Sequence, residues 1–145
     1  MESQLLQGKV AIGTGSSYGM GRSIAELFAE EGAAVVLTAH GREKLDIAVR
    51  ELADKGYRVA GVCADVRSYE DTQRVFATAI EKFGDLDILV NNTGIGDMIL
   101  IDETTDESVA NVMNVNVKPP RAYARGFLPW DSGRQPCFRY GMRQH

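Results

Sequence analysis

The segment Thr14-Gly15-Ser16-Ser17-Tyr18-Gly19-Met20-Gly21 has residue types and spacing suited to holding an anion. It follows a short apolar run, Lys9 to Thr14, and precedes a helix-periodic run in which Ile24, Leu27 and Phe28 share a face. A helix start exposes unpaired N–H groups and a partial positive charge, so a glycine-rich turn leading into one lets a pyrophosphate approach. Gly15 can make the tight turn, Gly19 can admit phosphates to the backbone, and Gly21 can let the helix lie close to a sheet. Ser16 and Ser17 add hydroxyl donors. The spacing Gly15-x₃-Gly19-x-Gly21 is neither G-x-G-x-x-G nor the Walker pattern, which needs a Lys after its last glycine. A plain strand-to-helix turn accounts for one such glycine, whereas three glycines with two serines at one junction favour a ligand.

The elements that must position this loop alternate through residue 117. Strands are expected at Lys9 to Thr14, Ala34 to Ala39, Tyr57 to Cys63 and Leu86 to Asn91, each too short for a helix and apolar enough to be covered on both faces. Helices fall between and after them. Leu45, Ala48, Val49 and Leu52 line the second, and Val75, Phe76, Ala79, Ile80 and Phe83 the third. Gly32, Gly56 and Gly84 stop the first three, Ser68 caps the third with Asp71 in its first turn, and Thr104 with Glu107 has the spacing of a capping box for a fourth. Right-handed crossovers then give an α/β, Rossmann-type doubly wound parallel sheet, truncated at strand order 3-2-1-4, with a switch point between strands 1 and 4.

The charge divides the chain where this pattern fades. All 145 residues carry a net charge of −4, with 16 basic and 20 acidic side chains, a balance that gathers neither nucleic acid nor anionic lipid. Six of the basic residues, Lys118, Arg121, Arg125, Arg134, Arg139 and Arg143, follow residue 117, against one acid, Asp131. Lys118-Pro119-Pro120 is expected to break the preceding helix, and the aperiodic residues after it to form an aberrant, disordered basic tail of the kind a shifted reading frame or splice leaves. The expected organisation is therefore a dinucleotide-binding half-domain over 1–117 and a tail over 118–145. No apolar run suits a membrane span and Met1-Glu2-Ser3-Gln4 does not open a signal peptide, so a cytoplasmic location is expected. Cys63 and Cys137, with His40 and His145, make no metal pattern.

Four motifs in order carry a likeness: Thr14-Gly15-x₃-Gly19-x-Gly21 after Lys9-Val10-Ala11-Ile12, then Asp65-Val66, then Asn91-Asn92-Thr93-Gly94, then Asn114-Val115-Asn116. Over about residues 5 to 118 the chain resembles the N-terminal half of the short-chain dehydrogenase/reductase family, particularly members that reduce 3-oxoacyl thioesters or oxidise simple alcohols. The resemblance implies NAD(P) bound on a Rossmann fold, hydride transfer between the nicotinamide and a carbonyl or alcohol, and homo-oligomers. It implies that Thr14, Gly15, Ser16, Ser17, Gly19, Met20 and Gly21 hold the pyrophosphate. Asp65 would accept from the adenine amino group with the Val66 backbone beside it, and Asn92 and Gly94 would lie by the adenosine ribose. For Asp65 a turn or helix-cap role is the alternative. Asn91 would tie strands together, and Asn116 would hold a water in the proton relay. Gly13 and Thr93 depart from the family's usual apolar residue and alanine.

The end of strand 2 bears on the cofactor. NAD specificity normally uses a carboxylate there for the ribose hydroxyls, whereas Thr38-Ala39-His40-Gly41-Arg42 has none and places His40 and Arg42 near the 2′-position, which favours NADP over the alternative NAD. The missing acid also argues against a Rossmann-type methyltransferase. Of the family's catalytic groups only Asn116 is found, because Tyr140 is followed four residues later by Gln144 instead of Lys and Ser132 lies in an aperiodic stretch. The chain alone is expected to be inactive, with a non-catalytic nucleotide-binding fragment as the alternative.

Overall fold

The computed structural model describes residues 4–96 and 98–131, with side chains to residue 127. Four parallel strands, β1 (Val10–Gly13), β2 (Ala34–Ala39), β3 (Val59–Cys63) and β4 (Ile88–Val90), stand in the order β3-β2-β1-β4. Val10 lies opposite Ala34, Val35 opposite Val59, and Ala11 opposite Ile88. All residues of β1 and β2 are buried, as a sheet covered on both faces requires. Three strands are shorter than the apolar runs that contain them: Lys9 and Thr14 fall outside β1, Tyr57 and Arg58 outside β3, and Leu86, Asp87 and Asn91 outside β4. At β1 the Val10 N–H donates 2.9 Å to the Asp87 carboxylate and the Asp87 N–H donates 2.8 Å to the Val10 carbonyl.

Helices α1 (Gly19–Glu30) and α2 (Arg42–Asp54) cover one face. The inward stripe of α1 is Gly21, Ala25 and Ala29, with Ile24 and Phe28 half-buried beside it. Leu27, expected on that face, turns to solvent and is 54% exposed. Small inward residues let α1 lie low on β1 and β2, and the bulkier Leu27 is carried to the outer side. Leu45, Ala48 and Leu52 bury the face of α2 in the same cluster.

The other face is covered by α3 (Tyr69–Phe83), through Val75, Phe76 and Ala79. The Ser68 hydroxyl accepts from the Asp71 N–H at 3.2 Å, and Gly84 closes the helix in the left-handed region at φ 82°. A single 3₁₀ turn (Ile101–Glu103) leads to α4 (Asp106–Asn116). Its cap is Thr105, one residue later than expected: Thr105 and Ser108 form the reciprocal box, while Thr104 closes the 3₁₀ turn and Glu107 falls in the first turn of the helix.

The chain does not break at Lys118. It continues as α5 (Lys118–Asp131), so a helix stands where the break was expected. Pro119 and Pro120 occupy the first turn of α5, where N–H groups have no intrahelical acceptor and a fixed φ suits the helix, so the pair sets a start. Tyr123 is fully buried, its ring centroid 5.6 Å from that of Phe76, and Gly126 brings the α5 backbone so close that a Cβ there would stand 2.8 Å from the Phe76 ring. Burial raises the Tyr123 phenol above its ordinary pKa. The remainder of the expected tail, residues 132–145, lies outside the described residues. Among the described residues no helix is long and apolar enough to cross a membrane.

Candidate functional site: a glycine loop at the carboxyl ends of the strands

The glycine loop connects β1 to α1, and its residues divide into a braced floor and an open rim. Thr14 is buried, and its hydroxyl oxygen accepts from the backbone N–H groups of Asn92 at 3.0 Å and Thr93 at 3.1 Å. The Asn92 amide donates to the carbonyls of Thr14 (3.2 Å) and Gly15 (3.0 Å). The tie between β4 and the loop is therefore made by Asn92, whereas Asn91 is exposed. A Cβ at Gly21 would stand 2.3 Å from the Gly15 carbonyl oxygen and 2.5 Å from the Asn92 amide nitrogen, so the start of α1 presses on this knot. The Thr93 hydroxyl is buried beside it without a hydrogen-bond partner.

Ser16 belongs to the floor as well. Expected as a phosphate donor, its hydroxyl instead donates 2.8 Å to the Gly13 carbonyl and accepts 3.0 Å from the Thr38 N–H, and the residue is fully buried. Its backbone N–H donates to the Thr38 carbonyl at 2.9 Å, so Ser16 prolongs the β1–β2 ladder beyond the strand. Gly13, unusual in a strand, lies beside it, and a Cβ there would make ordinary contact with the Ser16 side chain at 3.5 Å.

The rim is formed by Ser17, Tyr18, Gly19 and Met20, of which Tyr18, Gly19 and Met20 are exposed. Gly19 adopts φ +60° and a Cβ there would meet nothing within 4 Å. Tyr18 caps α1 from an extended backbone with no side-chain hydrogen bond, and the first turn of α1 has no acid. In contrast, α2, α3 and α4 each carry Asp or Glu in the first turn. A helix end lacking both a cap and a counter-charge, reached over an open backbone, has the donor set a pyrophosphate needs. A dinucleotide fits these residues, with Gly19 as the cradle that a Cβ would fill.

The other expected residues lie at neighbouring strand ends. His40 and Arg42 are exposed at the turn from β2 into α2. Two residues on, the Lys44 ammonium sits 4.9 Å from the centroid of the Tyr18 ring; this contact between the loops after β1 and β2 escapes sequence reading because no periodicity pairs the two residues. Asp65 and Val66 follow β3. Both Asp65 carboxylate oxygens accept from the Arg67 guanidinium at 2.8 to 3.2 Å, and Oδ1 also accepts the Arg67 backbone N–H at 2.9 Å. These bonds to Arg67 hold the carboxyl down at about 2, a turn geometry of the kind weighed against the adenine role. The Asp65 N–H in turn donates 2.8 Å to Asp71, which lowers that carboxyl too.

Gly94 and Asn116 meet beyond β4. Asn116 Oδ1 accepts from the Ile95 N–H at 2.8 Å and its amide donates 2.7 Å to the Ile95 carbonyl, so both ends of the side chain pin the loop after β4 onto α4. A Cβ at Gly94 would lie 3.6 Å from Asn116 Oδ1. In this geometry one lone pair and one N–H of the side chain position a loop.

An open parallel sheet with a braced glycine loop at the β1–α1 turn defines a doubly wound α/β protein. The family model described as short chain dehydrogenase matches residues 9–135, and the chain belongs to that family. It is 38% identical over 113 residues to an uncharacterised oxidoreductase of Methylorubrum extorquens, covering 77% of this chain and 46% of that protein. It is 34% identical over 125 residues to human dehydrogenase/reductase SDR family member 4, covering 86% of this chain and 45% of the relative. Among solved structures, L-sorbose reductase of Gluconobacter frateurii, complexed with NADPH and L-sorbose, superposes with a TM-score of 0.84 at 40% identity, covering 90% of this chain and 50% of the reductase. The chain thus spans about half the length of the curated relatives it matches.

Proposed function

We propose that these residues form the cofactor-binding half of an NADP-dependent oxidoreductase that transfers a hydride between the nicotinamide and a small carbonyl or alcohol substrate in the cytoplasm. The observation that carries the reading is Gly19 at φ +60°, open on its outer side, at the start of the uncapped helix α1. Pyrophosphate would take the N–H groups of the Gly19–Gly21 turn. The floor made by Thr14, Ser16 and Asn92 would hold that turn rigid, and the adenosine would extend over the ends of β2 and β3 toward Arg42 and Asp65. Preference for NADP rests on the missing carboxylate after β2 and on the cationic Arg42; the NADPH named for the sorbose reductase complex is consistent with it. Asp65 would receive the adenine amino group only by sharing its oxygens with Arg67.

The bound nicotinamide supplies the hydride, and the chain's part is to hold it. Proton transfer needs a titrating group, and Asn116, whose amide does not titrate near neutrality, supplies none. These 145 residues alone are therefore proposed to bind dinucleotide without turnover. Calorimetric titration is expected to show NADPH bound about tenfold or more tightly than NADH. Equal affinity or a preference for NADH refutes the cofactor choice. Gly19→Val should abolish binding, because a branched side chain would stand where the pyrophosphate approaches. Sustained NADPH oxidation with short ketones or 3-oxoacyl thioesters would overturn the inactivity of the isolated residues.

A further inference from the structure

Tyr18 and Lys44 belong to different turns, those after β1 and β2, and these strands are neighbours in the sheet. The Tyr18 ring is 68% exposed, and the Lys44 ammonium lies 4.9 Å from its centroid. A cation over an aromatic face is attracted by the ring's quadrupole. A lysine is ordinarily a mobile, hydrated charge, and here the ring fixes its head across the gap between the two turns. That gap is where open α/β sheets place the adenosine ribose, with the pyrophosphate on the first helix and the 2′-substituent toward the end of the second strand.

We propose that Lys44 is a further specificity-determining residue, held by Tyr18 to pair with the 2′-phosphate of an NADP-type dinucleotide; this rests on the reading of the glycine loop as a dinucleotide site. Arg42, at the first position of α2, lies one residue before Glu43 and two before Lys44. Successive helix residues do not face one another, so the acid between the two cations need not neutralise the cation presented to the gap. Arg42 offers a planar fork and Lys44 a point charge, and the two together suit a dianionic phosphate.

The test uses the full 145-residue chain and two fragments of the cofactor, 2′,5′-ADP and 5′-AMP, titrated by calorimetry. The wild-type chain is expected to prefer 2′,5′-ADP. Lys44→Met should cut that preference by about tenfold while leaving the affinity for 5′-AMP in place, and Lys44→Arg should restore most of it. Tyr18→Ser, which frees the ammonium, should cut the preference by about threefold. An unchanged preference in Lys44→Met overturns the proposal, as does an equal weakening of both fragments, which would assign Lys44 to the 5′-phosphate. Binding of neither fragment by the wild-type chain would overturn the dinucleotide reading itself, and the assignment of Lys44 with it. An unchanged urea midpoint in Lys44→Met, expected for an exposed position, keeps these outcomes separate from misfolding.

Discussion

On one flank of β1, four register pairs join it to β2, every residue of both strands is buried, and the Ser16 hydroxyl adds a rung past the strand ends. On the other flank only three pairs join it to β4, whose residues are half-buried. That second seam is held at its ends: Asp87 grips Val10 at the start, and Thr14, Asn92 and Thr93 interlock at the finish. Burial secures the first seam and Ser16 fixes only the base of the turn after β1, so Gly19 and Arg42 at its carboxyl end stay exposed. Directional hydrogen bonds, worth about 1 kcal/mol each, fix the second where apolar cover is thin. The open rim lies over the first seam, and the floor beneath it draws on both, through Ser16 on the first and through Asn92 and Thr93 on the second.

The largest disruption expected is Tyr123→Ala. It empties a fully buried site against Phe76 and should cost about 3 to 5 kcal/mol in urea unfolding, while the native fraction keeps its NADPH affinity. A loss under about 1 kcal/mol would show that α5 is not part of the core, and the contrast between the two flanks would have to be redrawn. Gly21→Ala should cost about 1 to 3 kcal/mol and also abolish cofactor binding, since its methyl would stand 2.3 Å from the Gly15 carbonyl oxygen and push the floor apart. Undiminished binding in that variant would show that the floor does not govern the rim.

A smaller effect is expected at Asp65, beyond the outer strand of the buried seam. Its carboxyl, held at about 2 by Arg67 against an ordinary 3.8, contributes stability that is full above about pH 4 and lost as pH falls through about 2. Asp65→Asn should flatten the urea midpoint against pH across that window; an unchanged slope would remove the pair from the account. Smallest is Thr93→Ala, which deletes a buried hydroxyl without a partner and should raise stability by about 1 kcal/mol, with destabilisation of that size counting against the geometry of the knot.

Much of this was legible in the sequence where a local rule acted alone. The run Ala34 to Ala39 gives β2 to the residue, Ser68 and Gly84 bound α3, and the order β3-β2-β1-β4 follows from crossover handedness. What escaped depends on contacts between distant segments. Pro119 and Pro120 mark a helix start as readily as a stop, and only Tyr123 packing on Phe76 decides between them. Ser16 looks like a ligand donor because its spacing is right, but its hydroxyl turns inward to β2, and Asn116 makes a pair of bonds to the Ile95 backbone that spacing does not announce. Neighbouring Asn91 and Asn92 are alike in type, and which one bonds the loop is set by the alternation of strand faces at the end of β4.

The tie from Asn92 to Thr14 spans 78 positions of the chain. The β1–β2–β3 seams join segments that follow one another closely, so a nascent or refolding chain can assemble them, with α1 and α2, before β4 is available. Such an early species would be compact and would already display the glycine-rich turn, but its floor would lack the Asn92 amide. On the proposed function, affinity for dinucleotide would therefore be acquired late, when β4 closes the longest loop in the sheet. Cofactor added during refolding should leave the early steps untouched and act afterwards, by slowing the departure of β4.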